Sequence, residues 1–126
     1  MLRITFANNI TYTVHEDTVV YPWGGVNTRN KMEIHMPEEA MSLEDFITLV
    51  STENNTVTMR HVSIDGRGRI IYDNTYQYYT VLAEVGKRRC DVIDLETGEV
   101  TSAFHLVAVL EQLSQTERKL LELTKE

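Results

Sequence analysis

The sequence holds one cysteine, Cys90, in 126 residues, so no disulfide closes within the chain. Lone cysteines suit a reducing compartment, and the chain is expected to be intracellular or part of a particle assembled inside a cell. Prolines number two, Pro22 and Pro37. No repeat, low-complexity tract or Pro/Gly-rich linker divides the chain, and at ~100–200 residues per domain its length makes one domain. No apolar run approaches the ~18 residues of a membrane-spanning helix. The opening Met1-Leu2-Arg3-Ile4-Thr5-Phe6 also lacks the apolar stretch expected of a signal peptide. Positive charge is short too. Twelve Lys and Arg face nineteen Asp and Glu, for a formal net charge of −7, which opposes broad nucleic-acid binding.

What is present suits a folded domain. Apolar residues are 42% and charged residues 25% of the chain, an ordinary globular balance. Leu2, Ile4 and Phe6 alternate with polar residues, Asn8-Asn9 offers a turn, and Ile10, Tyr12 and Val14 alternate again. Such a pattern predicts a hairpin, because asparagine tolerates the positive φ of a tight turn. Val19-Val20-Tyr21 predicts a short strand, and Met32, Ile34 and Met36 predict one face of another. Ser42 is placed to cap a short helix near 43–51, with Asp45 three residues on. Leu43, Phe46, Ile47 and Val50 are expected on its buried face. Further strands are expected over 56–64, around 69–72, over 76–85, over 88–95 and over 100–104. Turns are expected at Asp65-Gly66-Arg67-Gly68, Gly86-Lys87 and Glu96-Thr97-Gly98-Glu99.

After Phe104 the pattern changes. Leu106, Val109, Leu113, Thr116, Leu120 and Leu123 recur at spacings of three and four, which predicts an amphipathic helix of about 20 residues over 105–126 with a coiled-coil seam. The expected fold is α+β: a mainly antiparallel β domain over 1–104, curled into a partly open barrel or sandwich, with one short helix and the long C-terminal helix. Short connections favour antiparallel neighbours.

Candidate chemistry is sparse. The four histidines, His15, His35, His61 and His105, and Cys90 lack the close paired spacing of a zinc site. No metal or cofactor is therefore expected. Adjacent acidic residues such as Glu16-Asp17 and Glu38-Glu39 point apart on a strand or turn, and no nucleophile or phosphate-loop motif occurs. A non-enzymatic protein is expected. Lys87, Arg88 and Arg89, at the expected Gly86-Lys87 turn, are a candidate anion patch. Trp23, beside Gly24-Gly25, is a candidate interface anchor. The helical seam, Leu106, Val109, Leu113, Leu120 and Leu123, is the other candidate interface.

Several segments together resemble the small proteins encoded in the tail-gene module of phages and prophages of Gram-positive bacteria. They are Leu2-Arg3-Ile4-Thr5-Phe6-Ala7-Asn8-Asn9, Arg29 to Pro37, Ser42-Leu43-Glu44-Asp45-Phe46, Thr56-Val57-Thr58-Met59 and Tyr79-Thr80. The resemblance implies a structural or tail-assembly protein that acts through protein contacts, self-association through the C-terminal helix included. A different class is also open: a phage-encoded inhibitor that binds and blocks a host defence protein, as anti-CRISPR proteins do, its acidity occupying a nucleic-acid-binding groove.

Overall fold

The computed structural model describes residues 1–21 and 27–124, with nothing stated of the Val92 side chain. Two four-stranded antiparallel sheets make up the α+β fold. The first has the order β2 (Thr11–Val14), β1 (Leu2–Thr5), β5 (Thr58–Ile64), β6 (Ile70–Gln77). The second has the order β3 (Val19–Tyr21), β4 (Lys31–Pro37), β8 (Val100–Glu111), β7 (Val81–Ile93). Helix α1 spans Leu43–Ser51, the single turn α2 spans Glu53–Thr56 and α3 spans Gln115–Thr124.

Local chemistry explains most of these elements. In the opening hairpin Leu2 pairs with Val14 and Ile4 with Tyr12. Asn9 takes φ 68° at the turn, the left-handed conformation that asparagine tolerates. Ser42 caps α1 by accepting from the Asp45 N–H at 3.1 Å, which satisfies a donor the helix leaves free. The turns at 65–68 and 94–99 form around Gly68 (φ 80°) and Gly98 (φ 73°).

Both sheets and α1 contribute to one core. Leu2, Ile4 and Met59 come from the first sheet, Met32, Ile34, Met36, Leu106, Ala108 and Leu110 from the second, and Phe46, Leu49 and Val50 from α1. Each large apolar side chain buried this way contributes roughly 1.5–3 kcal/mol. The sheets do not close into a barrel: β2 and β6 are edges of one, β3 and β7 of the other.

The structure corrects five expectations. The helix expected over 105–126 is two elements, because residues 105–111 belong to β8; the boundary drawn at 104/105 falls inside that strand. Leu106, Ala108 and Leu110 are buried with a period of two, and β-branched Val107 and Val109 between them favour a strand. A run apolar on both faces satisfies a heptad template and a central strand equally well. Pairing with β4 and β7 decides between them.

Gly86-Lys87 is no turn, since β7 continues through it to Ile93, paired with β8 throughout. The strand expected over 76–85 is broken at Tyr78, where φ is 65°. There the chain leaves the first sheet for the second. The Tyr78 N–H donates to the Val57 carbonyl and its own carbonyl accepts from the Leu113 N–H, both at 2.9 Å, which holds a conformation rare for a bulky residue. On α1, Leu49 is buried while Ile47 lies at the surface. Ile10, expected among the inward alternating residues, is also exposed.

Candidate functional site

Two regions stand apart from the core. The first lies on the face of the second sheet turned away from it. His35 sits between the inward Ile34 and Met36 of β4, so alternation points it outward. In β8, His105 pairs with Pro37, the last residue of β4, and across β7 it pairs with Arg88. Cys90, two residues beyond Arg88, shares that face. Three neighbouring strands therefore bring together residues far apart in sequence.

The contacts are short. His35 Nδ1 lies 3.0 Å from His105 Nδ1, and His35 Nε2 lies 2.7 Å from a Glu33 carboxylate oxygen. Arg88 holds the same Glu33 oxygen at 2.7 Å. Cys90 Sγ is 4.0 Å from His35 Nδ1. His15 stacks on the His105 ring at a centroid distance of 3.7 Å. Its backbone N–H donates to the His35 carbonyl at 2.8 Å, so the turn before β3 is tied to the site. His35 and His105 are buried, and Cys90 is half-buried.

A carboxylate only accepts, so His35 donates Nε2–H to Glu33. When both rings are neutral, its Nδ1 accepts from the His105 Nδ1–H. Burial, followed by the neighbouring His15 and His35, lowers the His105 pKa. Burial also pushes the Cys90 thiol up, against the pull of Arg88. His35, Cys90 and His105 have ligand atoms all within 4.8 Å of one another. A hollow of about 240 Å³, lined in part by Glu84, Gly86, Arg88 and Val107, opens beside them.

Reasoning from spacing misses this site, because it looks for ligands close in sequence. The usable signal is strand pairing: with β8 recognised as a strand, His105, Arg88 and His35 fall on one face. His61, the remaining histidine, lies elsewhere. It is buried on β5 against Tyr76, with ring centroids 4.7 Å apart, and its Nε2 has no hydrogen-bond partner among the described residues. Burial lowers its pKa to about 4.

The second region is the C-terminal helix. Ser114 and Glu117 form a reciprocal capping box: each backbone N–H donates to the other's side-chain oxygen at 3.1 Å. Arg29 grips the Glu117 carboxylate through two nitrogens, at 2.8 and 2.6 Å, and reaches Glu111 at 3.1 Å. That grip, with the Ser114 N–H, draws the Glu117 pKa down to about 2. The start of α3 is thus anchored, yet none of its residues is buried. Leu120 is 57% and Leu123 71% exposed. Leu113 and Leu121 border a groove of about 290 Å³ with Val57, Tyr78 and Val81.

The other candidates are scattered. Leu106 lies in the core, and Val109 is half-buried on the opposite face of β8. The seam is thereby reduced to Leu113, just before α3, and to Leu120 and Leu123. Lys87, Arg88 and Arg89 lie within β7, and each faces an acidic side chain: Glu38 at 3.2 Å, Glu33 at 2.7 Å and Asp91 at 3.2 Å. Trp23 lies outside the described residues. Comparison with protein-family models, with curated proteins and with solved structures finds no match to this chain.

Proposed function

We propose that the chain is a non-enzymatic structural or tail-assembly protein of a phage or prophage, acting in the host cytoplasm and within the assembled particle through protein–protein contacts. The observation that carries this reading is α3, a helix fastened at its start that leaves Leu120 and Leu123 exposed. A ten-residue helix is shorter than the ~12–15 residues at which isolated helices become even marginal in water, so it draws stability from whatever covers its apolar side. The partner that fits is a second copy of the chain. Arg118, Lys119 and Glu122 put both charge signs beside the leucines, and a two-fold antiparallel pairing sets acid against base.

Sedimentation equilibrium tests the reading. The wild-type chain is expected to self-associate at tens of micromolar, and Leu120→Glu with Leu123→Glu to give a folded monomer. A wild-type chain that stays monomeric at high concentration removes the self-assembly reading. Capture of a host defence protein by this acidic chain would then be the better account.

A further inference from the structure

We propose that His35, His105 and Cys90 bind a zinc-type divalent transition-metal ion, through the two Nδ1 atoms and the thiolate, with a fourth position left to water. Zinc bonds of ~2.0–2.1 Å to nitrogen and ~2.3 Å to sulfur place tetrahedral ligands about 3.3 Å apart for N and N, and about 3.6 Å for N and S. The chain holds the two Nδ1 atoms 3.0 Å apart and Cys90 Sγ 4.0 Å from His35 Nδ1. The ligand atoms of all three residues lie within 4.8 Å of one another, so coordination asks for a side-chain shift of about 1 Å, chiefly at Cys90. Two imidazoles and a thiolate are the soft and borderline donors that favour zinc-type ions over magnesium or calcium.

A second, independent feature points the same way. Metal-binding histidines donate their other ring N–H to a carboxylate or carbonyl, which fixes the ring and strengthens the ligand nitrogen. His35 does this to Glu33, and Arg88 fixes Glu33 in turn. His35 and His105 stand on paired strands of the three-stranded part of the sheet, and Cys90 follows on β7 opposite Ala103, so two of the three ligands are fixed by the sheet before any ion arrives. Binding moves the His105 proton from Nδ1 to Nε2 and releases the thiol proton to solvent; no electron is transferred.

The test uses the full chain, reduced and stripped with chelator, with cobalt(II) as probe. One ion per chain is expected to bind, giving a sulfur-to-cobalt charge-transfer band that zinc(II) abolishes by displacement. Cys90→Ser should lose the band and bind about tenfold or more weakly, with circular dichroism unchanged. Glu33→Gln should keep the band and weaken binding roughly 10–100-fold. His61→Phe should change neither. On the wild-type chain, zinc should slow alkylation of Cys90, a readout that needs no variant. The proposal is overturned by the absence of saturable one-to-one binding, by an unchanged band and affinity in Cys90→Ser, or by an unchanged alkylation rate.

Discussion

The two halves of β8 are one strand in two environments. From His105 to Glu111 it runs between β4 and β7; from Val100 to Phe104 it pairs with β7 alone. Leu106 is fully buried, whereas Phe104, on the same face two residues earlier, is 50% exposed. Val100 and, across the ribbon, Ile93 are exposed as well. Apolar character is therefore no guide to burial along this strand; the number of neighbouring strands is. The histidine and cysteine cluster sits where the third strand ends, where a rigid sheet meets the open ribbon.

The largest expected effect breaks the strand into these halves by mutation. Leu106→Ala should cost about 2–5 kcal/mol, through lost burial and the cavity it leaves. Phe104→Ala should stay within about 0.5 kcal/mol, as surface changes do. Denaturant midpoints for the two variants check this, and equal losses would mean that the ribbon is packed as tightly as the sheet.

The same contrast extends to the first sheet, where His61 on the inner strand β5 is buried while Ile70 and Ile71 on the edge strand β6 are exposed. The unfolded chain takes a proton on His61 near pH 6.5, but the folded one only near 4. Stability from this group is complete above about pH 6.5, declines as pH falls through that window, and levels off below about 4. The loss is of order 3 kcal/mol. His61→Phe should flatten that part of the stability profile, and the difference between the two profiles isolates it from the other histidines. A smaller effect belongs to α3: Ser114→Ala removes half of its capping box and should cost about 1 kcal/mol in thermal or chemical melts.

Much of the fold is legible in the sequence where local chemistry and tertiary pairing agree. The Asn8-Asn9 hairpin, the Ser42 cap and the alternation of Met32, Ile34 and Met36 are of this kind. Illegibility begins where a pattern serves two structures. The run from His105 to Glu111 fits a helix and a doubly buried strand alike, and only its two neighbours decide. Gly86 looks like a turn because glycine is common in turns, yet a long partner strand carries β7 straight through it. Tyr78 gives no local sign of a break, since its positive φ is held by backbone bonds to Val57 and Leu113, residues distant in sequence. The histidine cluster is hidden for the same reason: it is assembled by strand pairing, and its members are 55 and 70 residues apart.

In the proposed assembly α3 is an incomplete element, finished by a second copy of the chain. Hydrogen exchange of its backbone amides, followed from dilute to concentrated protein, tests this most directly. Fast exchange over residues 118–124 is expected in dilute solution, slowing as concentration rises, with the core strands unchanged. Fast exchange at every concentration, or full protection already in the dilute monomer, would contradict it.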